Sequence, residues 1–151
     1  MRVYEAKITY EATLFEVGGT ALTTPERVYD YMKDILETYP MNEVFYVILL
    51  NRKNMPLARI AVTTGTVSST LAHPREVYRP AILGGACAIV CVHNHPSGDP
   101  APSSADVTVT RMLREAAKTV DIELLDHVIL GRPECDPLCR GFFSFRAAGM
   151  L

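Results

Sequence analysis

Nothing in the 151 residues approaches the run of about 20 apolar residues that a membrane-spanning helix needs. The opening stretch, MRVYEAKITYEATLF, also lacks the apolar segment of a secretory signal, so a cytoplasmic protein is expected. There is no surplus of positive charge: 15 Lys and Arg against 17 Asp and Glu leave a formal net charge of −2. A strong non-specific grip on phosphate backbones would therefore need a local basic patch. Internal repeats and low-complexity tracts are absent as well. What remains, 48% hydrophobic and 21% charged residues, is the composition of one ordinary globular domain over 1–151.

Cysteine is scarce and poorly spaced for a structural zinc site, which wants four ligands in tight pairs. Cys87 and Cys91 lie in the apolar run ACAIVCV and read as two small buried thiols of a strand. Cys135 and Cys139 lie in the Pro-rich stretch GRPECDPLCRG and read as reduced surface thiols.

Hydrophobic periodicity places the elements. Tyr4 to Leu14 alternate with period 2, as a half-buried strand does, and 1–24 form an N-terminal strand and arm ahead of a core over 25–151. TTPERVYDYMKDILETYP predicts a helix capped by Thr23 or Thr24, with Pro25 in its first turn, Val28, Met32, Ile35, Leu36 and Tyr39 on one face, and Pro40 at its end. EVFYVILLN, the turn RKNM and LARIAVTTG predict a hairpin. HPREVYRPAILGG predicts a short helix interrupted or kinked by Pro80 and stopped by Gly84 and Gly85. ACAIVCV predicts a central strand covered on both faces. SSADVTVTRMLREAAKTV predicts a helix lined by Val107, Thr110, Leu113, Ala117 and Val120, IELLDHVILG another strand, and GFFSFRAAGML a last strand and tail. Helices interleaved with strands point to an α/β (α+β) domain, a mixed sheet between helical layers.

The chemistry concentrates in HNHPSGDPAPSSAD, directly after the apolar strand. Residues i and i+2 of a strand face the same way, so His93 and His95 can share one ion. The turn-rich loop then leads into a helix start where Asp106 points back. Two imidazoles and one carboxylate leave a fourth position of a tetrahedral Zn²⁺ open for water, the layout of a catalytic site. Ser103 and Asp106 at this spacing are also a capping box, and His73 and His127 keep the structural role usual for a lone histidine. A nucleobase deaminase is set aside, because the H-x-E and P-C-x-x-C signatures are missing.

His93, His95, Ser103 and Asp106 fit the spacing H-x-H, seven residues, S, two residues, D without a gap, and this resembles the JAMM (MPN or JAB) metalloprotease motif. GTVSSTLAHPREVYRPAI, LLDHVILG and SFRAAGML extend the likeness to the RadC family of bacterial proteins, from about Pro25 to the C-terminus. The resemblance implies a three-layer, cytidine-deaminase-like fold, a zinc cofactor, and hydrolysis of a peptide or isopeptide-type amide in an unidentified peptide or protein substrate. It also implies a glutamate general base, placed at Glu43, with Ser103 donating to the oxyanion. Longer members carry an N-terminal helix-hairpin-helix region associated with DNA binding, for which no room is expected in this chain. The alternative expectation is a non-catalytic or accessory DNA repair protein that uses Arg111, Arg114 and Lys118 as its patch, with Glu115 able to pair with Arg111.

Overall fold

The computed structural model describes residues 20–65 and 72–151. The strand expected over Tyr4–Leu14 lies outside the described residues. The chain enters through α1 (Pro25–Met32) and α2 (Asp34–Thr38), then the hairpin β1 (Glu43–Leu50) and β2 (Pro56–Gly65). After α3 (Pro74–Leu83) come β3 (Ala88–Asn94), α4 (Ser104–Val120), β4 (Glu123–Leu130), a single 3₁₀ turn at Pro133–Cys135, and β5 (Phe142–Ser144).

The five strands form one mixed sheet in the order β2-β1-β3-β4-β5. Among the described strands only β3 and β4 run parallel; β1 is antiparallel to both β2 and β3, and β5 is antiparallel to β4. Every residue of the central strand β3 is buried, as its unbroken apolar run predicts. Strand alternation divides the core in two. Phe45, Val47, Leu49, Ile89 and Cys91 pack under α3 and α4 with Val77, Tyr78, Val109 and Leu113. Ile48, Leu50, Val90 and Val92 face α1 and α2 with Val28, Met32 and Ile35. The result is the expected sheet between two helical layers.

Several expectations need correction in detail. The first helix is two, broken at Lys33: the Arg59 guanidinium of β2 reaches the Tyr31 carbonyl at 3.4 Å and grips Asp34 through two bonds of 2.7 Å, tying both pieces to the sheet at the break. Thr24 is its cap, accepting from the Arg27 backbone N–H. Pro80 stays inside α3, because Val77 and Tyr78 before it and Ala81 after it are all anchored in the core. On α4 the fully buried stripe is Asp106, Val109, Thr110 and Leu113; Val107 is only half-buried, a quarter-turn off that line. Cys87 is exposed just ahead of β3, and of the pair only Cys91 is buried.

Candidate metal centre

Three strand ends meet at one edge of the sheet. β3 and β4 finish there because they are parallel, and β1 begins there because it is antiparallel to β3. His93, near the end of β3, pairs with Phe45 of β1 on one side and Ile129 of β4 on the other, and its ring stacks on that of Phe45. His95 extends the same ladder, its N–H donating to the Leu130 carbonyl at 2.9 Å. The chain then turns sharply. Gly98 N–H returns to the His95 carbonyl, and the Gly98 carbonyl accepts from Arg132 N–H at 2.7 Å. A Cβ on Gly131 would lie 2.3 Å from that carbonyl, so only glycine lets β4's exit pass so close to the loop. The loop delivers Ser103 as the N-cap of α4. Asp106 N–H donates to the Ser103 hydroxyl, and the carboxylate of Asp106 reaches back to Ser103 N–H.

The three expected ligands do converge. His93 Nε2 is 3.1 Å from His95 Nε2 and 3.1 Å from Asp106 Oδ1, and His95 Nε2 is 3.5 Å from Asp106 Oδ2. Donors about 2.0–2.1 Å from a tetrahedral zinc ion stand roughly 3.3 Å apart, close to the two separations from His93 Nε2. His95 Nδ1 lies 2.8 Å from the Asp99 carbonyl, which can only accept, so the proton sits on Nδ1 and Nε2 is left as a lone pair. Asp106 Oδ2 takes the bonds from Ser103, while the buried Oδ1 has no hydrogen-bond partner. Lone pairs crowded this closely call for a positive charge among them. The donor set, two imidazoles and a carboxylate, suits a borderline divalent cation such as zinc, and His93, His95 and Asp106 form such a group.

The electrostatics agree. The Asp106 carboxyl is held well below the usual carboxylate range: burial opposes ionisation, and the hydrogen bonds that the His93 and His95 imidazoles donate when they carry an Nε2 proton, with that of the Ser103 hydroxyl, outweigh it. Burial pulls His95 down, yet Asp106, the Asp99 carbonyl and the charge of Glu43 together raise it above its ordinary value. Continuing the Phe45–His93 register by two residues sets Glu43 opposite His95, on the same face. Its Oε1 is buried without a hydrogen-bond partner.

Two further residues complete the centre: Asn94, which the sequence did not single out, and His127, for which a structural role was expected. Asn94, between the two histidines, points to the other face, where its Oδ1 accepts from Val44 N–H at 2.8 Å and its amide donates to the Asn42 and Tyr39 carbonyls. It holds the peptide groups on both sides of Glu43. His127 of β4 is completely buried beside His93, at 2.8 Å, with Thr110 of α4 at its other nitrogen. Burial and the neighbouring His93 push its pKa well below the ordinary histidine value, which disfavours the charged imidazolium. The sequence signal was a histidine on a predicted strand, without the register that sets it against His93. His73 has the structural role expected, capping α3 through Nδ1. Ser103 forms the expected capping box with Asp106, and its hydroxyl proton goes to Asp106 Oδ2 at 2.7 Å. Lys118, expected in a basic patch, is held by Glu115, which therefore pairs with Lys118 instead of Arg111.

A mixed sheet between helices with a His-His-Asp group at its edge defines the chain as a JAB-type domain with a candidate metal site. A family model described as "RadC-like JAB domain" matches residues 22–150, and the chain belongs to that family. It is 41% identical over 129 residues to a UPF0758 protein of Geobacter sulfurreducens, covering 85% of this chain and 53% of that protein. It is 43% identical over 124 residues to a UPF0758 protein of Chlorobium luteolum, covering 82% and 52%. A third relative, from Symbiobacterium thermophilum, is 40% identical over 130 residues, with 86% and 52% covered. The chain thus spans about half the length of the curated relatives it matches.

Proposed function

We propose that this domain is a zinc-dependent hydrolase of the JAMM type, acting on a peptide or isopeptide-type amide bond. The observation that carries the reading is the convergence of His93 Nε2, His95 Nε2 and a partnerless Asp106 Oδ1 next to a buried, equally partnerless Glu43 Oε1. His93, His95 and Asp106 would hold a zinc ion, which would supply a Lewis acid and lower the pKa of water to about 7.

The rest falls to the side chains. Glu43 accepts a proton from the attacking water at Oε1 and later returns it to the leaving amine, as general base and then general acid. Its place beside His95 on the edge-ward start of β1, with the backbone clamped by Asn94, suits a carboxylate that must hold one position through both transfers. Ser103 orients Asp106 in the arrangement seen; serving an oxyanion would require its hydroxyl to turn away from Oδ2. Among the described residues nothing favours the DNA-binding alternative, since Lys118 is engaged with Glu115.

The test combines metal analysis with a peptide-library cleavage screen. The wild type is expected to bind one Zn²⁺ per chain and cleave; His95→Ala should lose the metal. Glu43→Gln should keep it and lose at least about 100-fold in rate. Full zinc content in His95→Ala would overturn the ligand set, and undiminished cleavage by Glu43→Gln would overturn the mechanism.

A further inference from the structure

The hydrogen bonds behind His93 determine which of its nitrogens carries the proton. Thr110 Oγ1 lies 2.6 Å from the Asp106 carbonyl oxygen and 2.6 Å from His127 Nδ1. Neither contact is tenable between lone pairs, so each must contain a proton. The carbonyl brings none and the hydroxyl has one, which it donates to the carbonyl. The proton of the second contact therefore belongs to His127 Nδ1. A neutral imidazole protonated there accepts at Nε2, and His127 Nε2 is 2.8 Å from His93 Nδ1. His93 must supply that proton, which leaves its own Nε2 as a lone pair facing His95 and Asp106.

From this geometry we propose that His127 and Thr110 are positioning residues that lock His93 in the tautomer a divalent cation requires, and that they set the metal affinity of the centre. The proposal rests on the metal-binding part of the reading above. Ligating histidines commonly give their second N–H to a carboxylate or a backbone carbonyl. Here another imidazole takes it, fixed in the core between the Phe45 and Phe145 rings. The chain of bonds closes on itself: it starts at the backbone carbonyl of Asp106 and ends at the histidine that shares the centre with the Asp106 carboxylate. Were the relay reversed, with Thr110 donating to His127, the proton of His93 would lie on Nε2 and point at Asp106 Oδ1, where an ion would have to displace it. The carbonyl at the far end, acceptor only, biases the relay toward the metal-ready direction.

His127→Phe keeps a ring in the stack and removes the acceptor; Thr110→Val removes the hydroxyl and Thr110→Ser restores it. Zn²⁺ and Co²⁺ affinities would be measured by chelator competition, alongside thermal melts. His93 protonation would be read by long-range ¹H–¹⁵N NMR on chelator-treated wild type. His127→Phe and Thr110→Val are expected to bind zinc about 10- to 100-fold more weakly, with Thr110→Ser close to wild type and His93 protonated on Nδ1. Unchanged zinc affinity in a folded His127→Phe or Thr110→Val protein, or a wild-type His93 protonated on Nε2, would overturn the proposal. If His127→Phe does not fold, the Thr110 pair decides. Wild-type protein that takes up no zinc would sink the hydrolase reading instead, and the NMR measurement would still judge the relay.

Discussion

His95 gives its Nδ1 proton to the Asp99 carbonyl, so a metal ion can reach only Nε2, the atom that an added proton also takes. Burial lowers the pKa of this residue, but Asp106, the Asp99 carbonyl and Glu43 raise it to a net value above 6.5. Zinc affinity should therefore fall as pH drops through that value, by about tenfold per unit where one proton must be displaced. Zinc titrations on either side of neutrality check this, and a flat profile would contradict it. In chelator-stripped protein the signs are opposite for the two partners. The raised His95 stabilises fully below its unfolded value of 6.5 and loses its contribution as pH rises through the folded value. The depressed Asp106 stabilises above its unfolded value of 3.8 and loses its contribution as pH falls toward the folded value. The pair therefore contributes most between 3.8 and 6.5, which thermal midpoints across that range would show.

At the scale of elements, the centre depends on how strand ends are tied. Asn94 joins β3 to the segment that carries Glu43 through three bonds, two of them to carbonyls and one from a buried N–H. Asn94→Ala should cost about 2–4 kcal/mol in urea unfolding, because those backbone groups lose their partner. Zinc content should survive and cleavage should fall, since no ligand is touched but Glu43 loses its clamp. Gly131 tests the other edge. Ala at this position would strike the Gly98 carbonyl and Pro100, shifting the loop whose Asp99 carbonyl orients His95. Gly131→Ala is expected to bind zinc more weakly with all three ligands present, as measured by chelator competition. Element types were readable from periodicity because β1 and β3 are largely unbroken apolar runs buried on both faces and α4 buries a single stripe. The break at Lys33 was not, since it depends on Arg59 arriving from a different strand.

For the molecule as a whole, the ligands come from β3 and from the first turn of α4, so metal binding should oppose global unfolding. Free zinc at 100 times its Kd should add about 2.7 kcal/mol, and the melting temperature should rise by several degrees and return on chelation. His95→Ala should show no such rise in calorimetry, whereas an equal rise in that variant would place the ion elsewhere. The two-sided core makes this coupling global, because the strands that end at the centre bury one face under α4 and the other under α1 and α2.

The sequence by itself determined the ligand types, their spacing and the helix-strand order. Strand alternation puts His93 and His95 on one face, and a capped helix start turns Asp106 toward them, both local consequences of backbone geometry. Tertiary structure alone decided the partners. Glu43 beside His95, Asn94 on the Glu43 backbone, and His127 with Thr110 behind His93 all follow from which strands adjoin and in what register. Long-range register is set by the packing of the whole sheet between its helices, and periodicity within one segment carries no information about it.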